Sequence, residues 1–134
     1  MVLSRICYHL YNARVRKRLL SSRYYLIPLA AIAARLLAGP RTVDDAFITF
    51  RYARNLIAGN GLVYNPGEWI LGTTTPLYAL LLSGIGLASA GTDANFPVIA
   101  LIVNSLLDAL TCYILIRIGE SLDRPIAGTA AAAI

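Results

Sequence analysis

Residues 97–116 read PVIALIVNSLLDALTCYILI, an apolar run that holds one charged side chain, Asp108. A helix that is apolar on every side needs apolar surroundings on every side, either protein core or lipid. At about 1.5 Å per residue the run reaches roughly 30 Å, the depth of a bilayer's hydrocarbon layer. The rest of the chain favours lipid. Its 134 residues are 57% hydrophobic and 14% charged, whereas soluble domains run at about 45–50% and about 25%. The excess lies in blocks, the pattern of an integral membrane protein.

A first block, residues 24–38 (YYLIPLAAIAARLLA), is short: it reaches only about 22 Å as a helix. Tyr24 and Tyr25 suit the membrane interface, and Arg35 can snorkel to the far side. A cleavable signal peptide, with small residues near Ala38, is the rival reading. Arg35 interrupts its apolar run and further spans follow, so the block is taken as the first span, closed by Gly39-Pro40. The second span covers residues 75–89, with Thr75 at the N-cap, Pro76 at the first helical position, and Gly84 and Gly86 forming a small-residue face for close helix approach. Gly91, Asp93 and Asn95 mark a turn, and Phe96-Pro97 opens the third span, 97–116. Residues 117–125 (RIGESLDRP) read as a polar connection. Residues 125–134 begin a fourth span that stops in apolar letters, which predicts the N-terminal part of a longer protein or a truncated reading frame. The expected fold is therefore an all-α membrane protein with about three transmembrane helices and the start of a fourth. Residues 39–72 form an external loop carrying an interfacial amphipathic helix.

Orientation follows from charge. Of the net +5, much is gathered in the leader, residues 1–23, where Arg5, Arg14, Arg16, Lys17, Arg18 and Arg23 precede the first span. Such a leader stays cytoplasmic, which puts the 39–72 loop outside. It is also drawn to anionic headgroups. Arg117 and Arg124 then fall outside, against the rule; the more heavily charged leader decides, and a re-entrant second segment would remove the conflict. No nucleic-acid partner is expected, since no binding module follows the basic run. Cys7 and Cys112 are the only cysteines; one is in the leader and one in a span, so neither a disulfide nor a metal spacing is expected. His9, the only histidine, is a solvated bystander on this reading.

The chemistry concentrates in DDAFITFRYARNLIAG, residues 44–59. Thr42 or Asp44 can cap a helix starting near Asp45, where the helix dipole favours a carboxylate. At 100° per residue Asp44, Phe47, Arg51 and Arg54 lie near one face. Ile48, Tyr52 and Leu56 lie on a second, and Phe50, Ala53 and Ile57 on a third. Such a helix would rest in the membrane interface, with Gly59-Asn60-Gly61 ending it. Leu62-Val63-Tyr64 reads as a short extended piece, and Asn65-Pro66-Gly67-Glu68 as a type II turn. A carboxylate can take the proton of an acceptor hydroxyl; two neighbours can shift each other's pKa or share a divalent cation. Arg51 and Arg54 can grip a phosphate leaving group through the guanidinium fork. The plainer alternative makes Asp44 and Asp45 a cap and a first-turn acid neutralised by the two arginines.

The stretch DDAFITFRYARNLIAGNGLVYNPGEWILGTTTPLYALLL resembles the first external loop and second helix of GT-C fold glycosyltransferases. The likeness lies with members that carry a DDA(F/Y)I(T/S)(F/Y)RYA…N…G.G.V.NPGE pattern. Arabinofuranosyltransferases of cell-envelope assembly and protein mannosyltransferases that use dolichyl-phosphate-mannose belong to that wider group. The likeness covers about a quarter to a third of the chain, and DDAFITFRYARN followed by NPGE after one span is far more specific than a bare pair of acids. The resemblance implies a polytopic enzyme of a prokaryotic plasma membrane with a cytoplasmic N-terminus. It implies transfer of a sugar from a polyprenyl-phosphate carrier to a glycan, lipid or protein acceptor at the outer face, with inversion. Asp44 or Asp45 would be the general base, and Glu68 and Trp69 would approach the acceptor. Full members have many more spans, so these residues hold the catalytic acid without being expected to turn over alone.

Asp108 stands apart. An ionised acid in mid-span costs about 2.5–3.5 kcal/mol. It is expected to face other helices, with Asn104 one turn earlier as a hydrogen-bond partner. A proton or ion pathway is its functional alternative. Two rival identities follow for the chain: a transporter component, or a small non-catalytic membrane subunit.

Overall fold

The computed structural model describes residues 22–42 and 44–134, and over them the protein is helical with no strand. The expectations placed on residues 1–21, among them Cys7, His9 and most of the basic leader, lie outside the described residues. Helix α1 covers residues 22–38. It is followed by α2 (Asp44–Ile57), α3 (Pro76–Ser89), a single 3-10 turn (Gly91–Asp93), α4 (Phe96–Ser121) and α5 (Pro125–Ala132).

Helix ends fall where the sequence has a residue that leaves the right-handed region. Gly39 (φ 72°) closes α1, with its N–H donated to Leu36 O at 3.1 Å. At the end of α2, Gly59 (φ 81°) reverses the backbone. The Gly59 and Asn60 N–H groups then bond back to the Leu56 and Asn55 carbonyls, the paired pattern of a Schellman cap. Helix α4 ends the same way on a residue that seldom adopts this conformation. Asp123 has φ 54°, and the Asp123 and Arg124 N–H groups bond to Glu120 O and Gly119 O. Pro125 then opens α5. These stops correct the expected polar connection at 117–125: residues 117–121 continue the helix, because nothing before Asp123 breaks it.

At 26 residues, α4 is about 39 Å long. Among the described residues it is the one helix both long and apolar enough to cross a membrane. Helix α3 is apolar but has 14 residues, about 21 Å against a hydrocarbon layer of roughly 30 Å.

The chain forms two compact units, Leu36–Asn104 and the residues through Arg35 together with Ser105–Ile134. In the first, Phe50 and Ala53 of α2 are buried with Leu82 of α3 and with Ala94, Phe96 and Ala100; Ile57 and Tyr78 pack on the rim. The Phe50 and Phe96 rings stack with centroids 6.1 Å apart. The Phe50/Ala53/Ile57 face of α2 is therefore covered by protein. This corrects the expectation that it would lie in the acyl boundary: α3 follows closely enough in sequence to cover it. A Cβ on Gly86 would meet Ile57 Cδ1 at 3.0 Å and Phe96 at 3.1 Å, whereas one on Gly84 would meet nothing. Of the expected small-residue face, only Gly86 serves close approach.

In the second unit, antiparallel ion pairs tie α1 to α4. Arg23 pairs with Glu120, and Arg35 donates from Nε to Asp108 Oδ2. Arg23 also donates to Thr129 Oγ1 at 3.0 Å and to Pro125 O at 3.2 Å, which brings α5 into the same junction. The α4–α5 contact is backbone on backbone: a Cβ on Gly119 would lie 2.5 Å from Gly128 Cα. The expected Asn104 partner of Asp108 is thus replaced by Arg35, an opposite charge in place of a neutral amide. Asn104 instead accepts from the Tyr78 hydroxyl at 3.2 Å.

Candidate functional site

The site is built on α2. Asp44 and Asp45 occupy its first turn and are exposed. Among the described residues neither makes a hydrogen bond or an ion pair. The alternative in which the two arginines neutralise them is not what the structure holds, because both arginines are turned to other partners.

Arg51 donates from Nε to Tyr64 O and from Nη2 to Asn65 Oδ1, both at 3.0 Å. Its guanidinium lies 4.3 Å from the centre of the Tyr64 ring, a cation–π stack. Arg54 points elsewhere: its Nε donates to Thr92 O at 3.1 Å, and it sits 5.6 Å from the Phe96 ring centre. The pair expected to hold one phosphate therefore does not converge.

The segment 61–75 is stapled along α2 by side chains spaced one turn or less apart. Thr49 Oγ1 bonds Thr75 Oγ1 at 3.0 Å. Thr75 does sit at the N-cap of α3, but its hydroxyl makes no cap bond. The Tyr52 hydroxyl donates to Ile70 O at 3.0 Å and accepts from the Gly72 N–H at 2.7 Å. Asn55 Nδ2 donates to Val63 O and Tyr64 O at 2.9 and 2.8 Å. The piece 62–64, expected to be extended, pairs with no strand; it hangs from Asn55 and Arg51, and Val63 is buried beneath it. The type II turn is present: Glu68 N–H donates to Asn65 O at 3.1 Å, and Gly67 has φ 89°. Asn65 Nδ2 donates to Glu68 Oε2 at 2.9 Å, so a relay Arg51–Asn65–Glu68 fixes this carboxylate.

Between helix and loop lies an open cleft of about 320 Å³, lined by Ile48 and Tyr52 of α2 and by Tyr64, Asn65, Glu68, Ile70 and Gly72 of the loop. Around the helix axis, the direction of Ile48 and Tyr52 falls between those of Asp44 and Asp45, roughly one turn nearer the N-terminus. The cleft thus carries one carboxylate, Glu68, in its wall, while Asp44 and Asp45 lie on the preceding turn of α2, outside the lining. Trp69 is not part of the lining. It is 83% exposed, with its ring edge over Gly61.

Of the residues singled out from sequence, the fold brings Asp44, Asp45 and Glu68 to one side of α2. Arg51 serves as a strut for the turn, and Arg54 and Trp69 lie apart. Sequence reasoning gave no role to Tyr52, Asn55, Tyr64 or Asn65. A signal existed for Asn55, an amide inside a helix that it does not favour, one turn before a glycine cap. None marked Tyr52, whose hydroxyl partners lie 18 and 20 residues away. Among the described residues no three acidic, histidine or cysteine side chains gather as a metal cluster. The arrangement offers a carboxylate, Glu68, in a cleft of mixed aromatic, amide and aliphatic walls, with two more carboxylates on the preceding turn of α2. No protein family, curated protein or solved structure matches the chain.

Proposed function

We propose that the chain is the acid-bearing part of a membrane glycosyltransferase of the GT-C kind, working with further membrane spans. It takes a sugar from a polyprenyl-phosphate donor. One observation carries the reading: Asp44 and Asp45, the acids that begin the DDAFITFRYARN…NPGE resemblance, have side chains without a partner among the described residues, one turn of α2 before Ile48, which lines a cleft that Asn65 and Glu68 of the NPGE turn help to wall.

In the reaction, one of the two carboxylates removes the proton of an acceptor hydroxyl. The hydroxyl oxygen attacks the anomeric carbon, the bond from that carbon to the phosphate oxygen breaks, and the lipid phosphate leaves with the electron pair. In-line attack inverts the centre. Glu68, held by Asn65 at 2.9 Å, orients acceptor hydroxyls. Arg51 positions the turn, bonding the Tyr64 and Asn65 oxygens through its Nε and Nη2. Asp44 and Asp45 would hold a divalent cation between them, which would supply charge to offset the leaving phosphate. In this reading α4 crosses the membrane, α1 and α3 complete the early spans, the leader is cytoplasmic and the 39–72 segment is external. The transporter alternative would rest on Asp108, which pairs with Arg35.

The test is to present native membranes containing the protein with a radiolabelled polyprenyl-phosphate pentose or hexose. Release of polyprenyl phosphate together with a glycoside of inverted configuration is expected, and should vanish on deletion of the gene. Unchanged turnover across the deletion, or a retained configuration, refutes the assignment.

A further inference from the structure

Trp69, Ile70 and Leu71 are consecutive, large and apolar, and they are 83%, 69% and 60% exposed. Soluble surfaces seldom present such a run, and it generally marks a surface that something covers. The backbone beneath it is held in place. The Tyr52 side chain is 1% exposed, and its hydroxyl donates to Ile70 O and accepts from Gly72 N–H. The Ile70 N–H donates to Glu68 O at 2.9 Å. A buried tyrosine thus fixes the strap through Ile70 O and the Gly72 N–H while the side chains face outward.

We propose that Trp69-Ile70-Leu71 is an anchor that dips into the bilayer interface beside the cleft. This rests on the membrane reading above and adds to it the element that touches lipid. Three observations favour lipid as the occupant. No charged residue occurs from Trp69 to Thr92, so the tip continues directly into α3, where Leu77 and Leu87 are also largely exposed. Irregular backbone near an apolar layer needs its N–H and C=O groups matched, and at Ile70, the middle of the tip, both are, by Glu68 O and the Tyr52 hydroxyl. The tip leads with tryptophan, whose amphipathic ring favours the headgroup boundary. Ile70 and Leu71 have no side-chain donor or acceptor with which to read a hydroxylated ligand. Ile70 also borders the cleft, so the anchor holds the cleft mouth at the surface where a lipid-linked donor lies. The Phe50/Ala53/Ile57 face of α2 is consumed in packing, so the tip adds apolar surface that this face does not offer.

Trp69 is the only tryptophan in the chain, so its fluorescence reports on the tip alone. The full chain is reconstituted in phosphatidylcholine–phosphatidylglycerol vesicles with lipids brominated at graded depths. Expected are blue-shifted emission, quenching several-fold stronger from bromines near the headgroup than from the midplane, and protection from aqueous iodide. Ile70→Ser with Leu71→Ser should cut lipid quenching several-fold. Iodide quenching like that of free tryptophan would overturn the proposal. So would blue-shifted emission that ignores the bromines and depends on the protein-to-lipid ratio, the signature of a second copy covering the tip. Resistance to alkaline carbonate is read in the same vesicles. A chain that is stripped off loses the membrane reading itself, whereas a resistant chain with a water-exposed Trp69 loses only the anchor.

Discussion

Tyr52 shows how much one hydroxyl can organise. It is buried and bonded to two backbone groups on the strap, Ile70 O and the Gly72 N–H. Tyr52→Phe keeps the ring and removes the oxygen, leaving two backbone groups to find water. We expect a loss of about 1–3 kcal/mol, seen as a lowered unfolding midpoint in detergent, and faster proteolysis between residues 61 and 72. An unchanged cleavage pattern would mean that the strap does not depend on this bond. Phe50 is a simpler case. Stacked on Phe96 and 4% exposed, its truncation in Phe50→Ala should cost about 3–5 kcal/mol, measured by the same unfolding curve. Periodicity grouped Phe50 with Ala53 and Ile57 on one helical face, though it did not show the protein that covers that face. It was silent on Tyr52, because a hydroxyl bonded to a distant backbone leaves no periodic trace.

Among the elements, the glycines separate by what lies opposite them. Gly84→Ala meets open space and should stabilise α3 by up to about 1 kcal/mol through helix propensity. Gly119→Ala would press a methyl into the backbone of α5, with Gly128 Cα 2.5 Å from the new carbon. It should part α4 from α5, read as loss of crosslinking between cysteines placed at 115 and 131 in a Cys112→Ser background. The two ion pairs between α1 and α4 join residues 23 and 35 to residues 120 and 108, the same spacing on both helices. Exchanging Arg35 and Asp108 (R35D with D108R) should restore much of the stability that either change alone removes; failure of the exchange to rescue would show that the pair does not set the register. Sequence periodicity located α2, α3 and the body of α4 closely, since apolar blocks and glycine stops are local signals. The true end of α4 was missed, because polar letters at 117–121 resembled a loop although no residue there breaks a helix. The Asp108 partner was also missed, since Arg35 lies 73 residues away and no local pattern joins them.

For the whole molecule, the membrane reading and the chemistry meet at the 44–72 segment. Helix α4 is the long apolar element, and α2 with its stapled loop is the polar one. Sequence alone brought out the acid pair and the NPGE turn. The cleft between α2 and the turn was not legible, because it depends on how Arg51, Tyr52 and Asn55 hang the loop on the helix. The account turns on whether those acids take a proton during transfer. The direct measurement is the rate of sugar transfer from a polyprenyl-phosphate donor in native membranes carrying Asp44→Asn or Asp45→Asn at equal protein level. One of the two substitutions should lower turnover by about 10²–10⁴, the usual contribution of a general base, while donor binding persists. Wild-type turnover in both variants would contradict it.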